Sequence, residues 1–173
     1  MRKPQLEAAL QEAARIAALK EIVLVGSQAV FAHTDEPPME VLVSEECDVL
    51  AKDGSERLSV IESPLGKGSA YHRSTGVFVD AVQPELILLP QGWQSRLKPI
   101  RLDTVTVWAL DVNDLIISKL NAGRLKDYEF ISAMLRTKLA QFDEVVRLIQ
   151  TFSEPQQQAV LLARLRISAE AMP

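Results

Sequence analysis

Val105-Thr106-Val107-Trp108-Ala109-Leu110-Asp111-Val112-Asn113-Asp114-Leu115-Ile116-Ile117-Ser118-Lys119-Leu120 contains a change of period. Up to Leu110 the run is β-branched and aromatic, the composition of a strand. After Asp111 the apolar residues recur at helical spacing, and Val112, Leu115, Ile116 and Leu120 share one face. The helical period then persists to the end. Phe130, Ile131 and Met134 form one stripe, Phe142, Val145, Val146 and Ile149 the next, and Leu161, Leu162 and Leu165 the last. Strands before the junction and only helices after it predict an α+β fold. Residues 1–110 are expected to form a small mixed β-sheet core flanked by helices, and residues 111–173 a C-terminal helical subdomain packed on it.

Upstream of the junction the elements are short. Leu6, Leu10, Ala13 and Ala17 predict a helix over 4–20, with Pro4 in its first turn. Glu21 to Val25 reads as a strand, 28–32 as a helix, and 34–44 as a loop built on Pro37-Pro38. Glu46 to Ala51 alternates and predicts a second strand, with a short helix over 52–62. Residues 63–68 read as a turn, and 69–73 with 76–82 as a hairpin.

The 173 residues are 47% hydrophobic and 24% charged, which excludes a wholly disordered chain. Aromatic residues are only 5%, so the core is aliphatic. No apolar run reaches the roughly 18 residues of a membrane span, so no membrane partner is expected. Met1-Arg2-Lys3-Pro4 leads into a Glu- and Gln-dotted helix without a signal-peptide core. With Cys47 alone no internal disulfide forms, and a cytoplasmic location is the expectation. The net charge of −4 argues against nonspecific coating of nucleic acid. The excess is local: residues 1–110 carry 11 Lys/Arg against 15 Asp/Glu, and residues 111–173 carry 8 of each.

Three of those acids stand in unusual settings. Glu46 and Asp48 are two apart in a strand and point to the same face, with Cys47 and Val49 on the other. Asp80 interrupts an apolar strand between Val79 and Ala81, where Asp is disfavoured. Carboxylates on adjacent strands repel one another unless a cation neutralises them. Oxygen-only ligands on a rigid sheet suit Mg²⁺, and two such ions can activate a hydroxyl and stabilise a leaving phosphate. The plainer reading places Glu46 and Asp48 on the solvent face of an edge strand.

Val25-Gly26-Ser27-Gln28 ends a strand at a glycine and turns into a predicted helix. Backbone N–H groups and the Ser27 hydroxyl at such a turn can hold phosphate oxygens, and Gly26 permits close approach. Ser27 could equally be an ordinary helix cap. On the helix after Asp111, Lys119 projects from the middle of the apolar face, and Asp127 lies on the stripe of Phe130, Ile131 and Met134. Such charges are paired or border a cleft. A buried Lys119–Asp127 pair, a snorkelling Lys119, and an Asp127 that complements a helix N-terminus all satisfy the pattern.

The order Val25-Gly26-Ser27, then Glu46-Cys47-Asp48-Val49, then Val79-Asp80-Ala81 resembles the nucleotidyltransferase superfamily of the DNA polymerase beta type. The helix-first, short-chain layout is similar to the toxin–antitoxin and AbiEii-like nucleotidyltransferases. Ser44, two residues before the first acid, fits that group. So does Lys119-Leu120-Asn121-Ala122-Gly123-Arg124-Leu125-Lys126-Asp127, which resembles a Lys-x(4)-Arg-x-Lys-Asp signature. The resemblance spans about residues 20 to 135. It implies transfer of a nucleoside monophosphate from an NTP to a hydroxyl of RNA (tRNA-like), protein or a small molecule. It further implies two Mg²⁺ ions, with Mn²⁺ as a substitute, and a cognate toxin or antitoxin as a partner. Glu46, Asp48 and Asp80 become the expected catalytic and metal residues. Gly26, Ser27, Lys119, Arg124, Lys126 and Asp127 become the nucleotide-binding ones. Two features depart from the family pattern: Glu46 where Asp is usual, and 18 residues between Ser27 and Glu46. A catalytically degenerate nucleotide- or partner-binding protein of the same fold is the alternative.

His33 and His72 show no metal partners in sequence. Cys47 reads as a small buried apolar residue, Gly66-Lys67-Gly68 as a hairpin loop, and Arg164 and Arg166 as a solvated face. Lys67, Tyr71 and Arg73 are candidates for an acceptor surface near Asp80.

Overall fold

A computed structural model describes residues 1–53 and 56–170. Two compact units are present: Met1–Leu86 with Leu97–Leu110, and Ile87–Arg96 with Asp111–Pro173. The fold is α+β, with a five-stranded mixed sheet and flanking helices.

The first unit contains the sheet. Its strands are β1 (Glu21–Leu24), β2 (Glu46–Ala51), β3 (Phe78–Ala81), β4 (Lys98–Arg101) and β5 (Thr106–Ala109), in spatial order β3-β2-β1-β5-β4. β2 runs parallel to β3 and antiparallel to β1, while β1 runs parallel to β5 and β4 antiparallel to it. Side chains alternate between faces, so register assigns each residue to one. Cys47, Val49, Val79, Ile22, Leu24, Val107 and Ala109 share the fully buried face. Helix α1 (Lys3–Ile16) packs on β2 and β3 and buries Leu6, Leu10 and Ala13. Glu46, Asp48 and Asp80 lie on the opposite face, together with Val23 and Trp108. There Lys52 sits 3.8 Å above the Trp108 ring, and the indole Nε1 donates to Glu21 Oε1 at 2.8 Å.

The connections differ from the sequence reading in several places. The expected hairpin arm at 69–73 is instead part of helix α4 (Ala70–Thr75). Ser69 Oγ accepts from the His72 N–H at 3.0 Å, and Gly76 closes the helix at φ 73°. These are ordinary start and stop signals that outweigh a weak alternating pattern. The expected turn at 63–68 includes α3 (Glu62–Leu65), preceded by a 3-10 turn over Glu56–Ile61. Residues 54 and 55 of the expected 52–62 helix lie outside the described residues. Residues 28–32 belong to a 3-10 segment, Ser27–Ala32, with Gly26 rather than Ser27 at the cap position. The Pro-Pro loop carries α2 (Met39–Leu42) immediately after Pro38. β4 escaped the sequence reading because Pro99 interrupts it, and its edge position is where a strand proline is tolerated.

The second unit comprises α5 (Val112–Ala122), α6 (Leu125–Arg136), α7 (Phe142–Ile149) and α8 (Pro155–Glu170), with a short 3-10 turn at Trp93–Arg96. Asp111 caps α5 by accepting from the Asn113 N–H at 2.9 Å. Gly123 ends it at φ 63°. Leu115, Ile116, Leu120, Phe130, Ile131, Met134, Val145, Ile149, Leu161 and Leu165 are all buried, as their spacing predicts, whereas Phe142 in the first turn of α7 is exposed and Val146 and Leu162 are half-buried at the margins of their stripes. Arg164 is not part of a solvated face. Its Nη1 donates to the carbonyls of Leu120 at 2.6 Å and Asn121 at 2.9 Å, which fastens α8 to the end of α5. No helix among the described residues is long and apolar enough to cross a membrane.

Candidate functional site

β2 and β3 bring the three acids of the first unit together. Asp48 and Asp80 are direct partners in the parallel register, so their side chains leave the sheet side by side. Glu46 precedes Asp48 by one side-chain period. One carboxylate oxygen from each of Glu46, Asp48 and Asp80 lies within 4.8 Å of the other two. Glu46 and Asp48 are partly buried and Asp80 is exposed, so the cluster opens to solvent at the β3 edge. Ser44 Oγ accepts from the Glu46 N–H at 3.3 Å and fixes the backbone where β2 begins.

Gly26 completes this corner. The Val25 N–H donates to the Asp48 carbonyl at 2.9 Å, which carries the β1–β2 pairing to the edge of the site. A Cβ at position 26 would fall 1.8 Å from Asp48 Oδ2, so only glycine leaves room for that carboxylate. Gly26 has φ −87°, hence close approach and not backbone conformation demands glycine here. The 18-residue stretch from Gln28 to Glu45 holds most of the 3-10 segment and α2. Gln28, which sequence reasoning passed over, ties them together. It is fully buried, and its Nε2 donates to the Val41 carbonyl at 3.0 Å. Its one sequence signal is an amide immediately before the apolar run Ala29-Val30-Phe31.

Cys47 lies on the opposite face. Burial pushes its thiol well up, with the Asp48 and Glu46 charges adding to it, so Cys47 is an apolar filler and not a nucleophile. Burial also raises the Tyr71 hydroxyl, with Cys47 and Glu12 adding to the shift.

In the second unit the Lys-Asp block forms a compact charge cluster. Asp127 is only 1% exposed, and Lys119 Nζ lies 3.5 Å from Asp127 Oδ1. Arg124 Nε donates to Asp127 Oδ2 at 2.7 Å and Nη2 to Oδ1 at 3.2 Å, and the Arg124 backbone N–H donates to Oδ2 at 3.1 Å. Two of the sequence alternatives thus hold together: Asp127 pairs with Lys119 and also caps α6. Burial raises the Asp127 carboxyl, but the Arg124 hydrogen bonds and the Lys119 charge outweigh it and hold the group below its ordinary value. Lys126 is exposed. A second ion pair went unread in the sequence. Arg96 donates from Nε and Nη2 to the fully buried Asp114 carboxylate at 2.8–3.1 Å. Burial raises the Asp114 carboxyl, and Arg96 opposes the shift.

A family model described as "Nucleotidyltransferase of unknown function (DUF6036)" matches residues 4–166. None of the curated proteins and none of the solved structures matches the chain.

Proposed function

The chain belongs to this nucleotidyltransferase family, and from that premise we propose that it moves a nucleoside monophosphate from an NTP to a hydroxyl of RNA, protein or a small molecule. The observation that carries the reading is the meeting of Glu46, Asp48 and Asp80 on one sheet face, against a glycine whose Cβ would fall 1.8 Å from Asp48 Oδ2.

The donor set fits a hard divalent cation. Three carboxylates offer only oxygen ligands, which suit Mg²⁺ or Mn²⁺. Two oxygens on one octahedral ion at about 2.1 Å are at most about 4.2 Å apart. A spacing within 4.8 Å therefore suits one ion after a small side-chain adjustment, or two ions. Bound there, the cation would neutralise the carboxylates and polarise the reacting phosphate.

The roles of the side chains follow. Glu46 and Asp48 would hold both ions. Asp80, on the edge strand, would hold the catalytic ion and accept the proton of the attacking hydroxyl. Gly26 and Ser27 would border the outer phosphates. The acceptor oxygen would bond to the α-phosphorus as the bridging bond to the β-phosphate breaks and pyrophosphate departs. In the helical unit Lys119, Arg124 and Lys126 are the groups suited to phosphate oxygens, with Asp127 orienting the first two. A place beside a cognate toxin or antitoxin rests on the motif resemblance. One observation favours a second reading, nucleotide or partner binding without turnover: the first acid is Glu46, where the superfamily that the motifs resemble usually has Asp. Incubation with each α-labelled NTP and total RNA, protein extract or small-molecule acceptors tests the proposal. Transfer should cease on chelation and return with Mg²⁺ or Mn²⁺. Binding of NTP with no transfer under any condition supports the second reading.

A further inference from the structure

Lys119 and Arg124 meet on Asp127, although the whole turn Leu120-Asn121-Ala122-Gly123 separates them in sequence. Whatever holds that turn decides where the two cations stand. α5 ends at Ala122, and the last carbonyls of a helix have no partner inside it. The Gly123 N–H donates to the Lys119 carbonyl at 2.9 Å. The next two carbonyls are satisfied from α8: Arg164 Nη1 donates to Leu120 at 2.6 Å and to Asn121 at 2.9 Å. A cation placed there also meets the negative end of the α5 dipole.

Gly123 is fitted to the same guanidinium. A Cβ at position 123 would fall 2.7 Å from Arg164 Cζ and Nη1 and 3.1 Å from Nη2. Arg164 therefore touches Leu120, Asn121 and Gly123, almost the whole connection between the two cations. Immediately before Leu120, Lys119 places Nζ 3.5 Å from Asp127 Oδ1. Immediately after Gly123, the Arg124 backbone N–H donates to Asp127 Oδ2 at 3.1 Å, and Arg124 Nε donates to the same oxygen at 2.7 Å. The path from Arg164 to both cations is short, runs through backbone, and lies within the helical unit.

We propose that Arg164 is a positioning residue for phosphate binding: it locks the turn between α5 and α6 so that Lys119 and Arg124 present their donors together to the phosphate oxygens of an NTP. The inference rests on the transferase reading, which gives these two cations their ligand, and it adds a residue outside the Lys119–Asp127 block. Arg164 acts through the turn and not on the ligand. Without it the end of α5 loses the partners of two carbonyls and frays, and Lys119 and Arg124 lose their common anchor. Lysine at 164 keeps a donor for those carbonyls but lacks the planar group that lies on Gly123.

Calorimetric binding of inorganic triphosphate to the full chain, without metal, tests this with no need of turnover. Arg164→Ala should raise Kd about tenfold, the worth of one charge-assisted hydrogen bond, and Arg164→Lys should fall between it and the parent. Arg166→Ala removes the same charge from an exposed position of α8 and should change Kd less than about twofold. Gly123→Asn tolerates the left-handed backbone but sets a Cβ against the guanidinium. It should match Arg164→Ala, and the double variant should be no worse than either. A carboxyl-carbon NMR titration of Asp127 separates positioning from plain bracing of α8. Arg124 and Lys119 hold that carboxyl below its ordinary value, so Arg164→Ala should let it rise. A brace alone would lower Tm and leave the titration and the Kd of the folded protein as they were, and that result overturns the proposal. A weaker Kd with Asp127 unmoved also overturns it, because Arg164 then binds the phosphate itself. So does a parent that binds no triphosphate. If triphosphate binds in the expected order and no NTP is ever transferred, the role of Arg164 stands and the transferase reading falls.

Discussion

Gly26 and Asp48 are in contact so close that a Cβ on the first would lie 1.8 Å from Oδ2 of the second and 2.9 Å from its Cβ. The glycine at the end of β1 therefore sets where the central carboxylate of the cluster points. Gly26→Ala should displace the Asp48 side chain while the sheet persists. An overpacked site of this kind costs about 1–3 kcal/mol, and a misplacement near 1 Å costs about 100-fold in rate. A folded variant with parental activity would show that the orientation of Asp48 is immaterial.

Cation and nucleotide should stabilise the fold together. A ligand at 100 times its dissociation constant adds about 2.7 kcal/mol, roughly 5–10 °C in Tm for a chain of this length. Asp48→Asn with Asp80→Asn should keep or raise the unliganded Tm, since repulsion is relieved, and abolish the shift. Thermal melts with each NTP and Mg²⁺ report both effects, and a parent protein unmoved by all of them would contradict the account.

The two buried carboxylates of the helical unit should respond to pH in opposite senses. Asp127 is held below its ordinary value, so its contribution is complete above the unfolded value of about 3.9 and is lost as pH falls through the folded value. Asp114 is raised, so the folded state keeps that proton longer, and stability falls as pH rises through the window above about 3.9. Arg96→Ala leaves Asp114 buried without its partner, at about 3–5 kcal/mol, and raises its carboxyl further. The deficit of Arg96→Ala in urea melts should thus be larger at pH 7 than at pH 4. Asp127→Asn should show its own deficit at pH 7 and lose it toward pH 3. Deficits that do not change with pH would mean that neither carboxylate is ionised in the fold.

The order of acids and the change of period at Asp111 were legible because both follow from fixed geometry. A period of two puts Glu46 and Asp48 on one face, and the stripe from Val112 to Leu120 can only be a helix face. The register that sets Asp80 beside Asp48 was not legible, because strand pairing joins segments some 30 residues apart in sequence. Helix α4 was hidden by the apolar strand that follows it, although Ser69 and Gly76 mark its ends. The Arg96–Asp114 pair was invisible for a similar reason: Arg96 ends a single 3-10 turn, and burial of Asp114 depends on which segment packs there. Lys119 and Asp127 were readable as anomalies on apolar stripes, and the structure resolves them as partners.

The central claim is that Glu46, Asp48 and Asp80 act as one nucleotidyl-transfer site, and label transfer from α-labelled NTPs by single variants tests it most directly. The Glu46 carboxylate reaches about 1 Å further than an Asp, against the strict octahedral demand of Mg²⁺, so the parent should be more active in Mn²⁺ than in Mg²⁺. Asp48→Asn, Asp80→Asn and Glu46→Gln should each abolish transfer, while Glu46→Asp should retain or gain it, above all in Mg²⁺. Transfer undiminished in Asp48→Asn or Asp80→Asn, or a Glu46→Gln as active as the parent, would contradict the assignment of these three carboxylates.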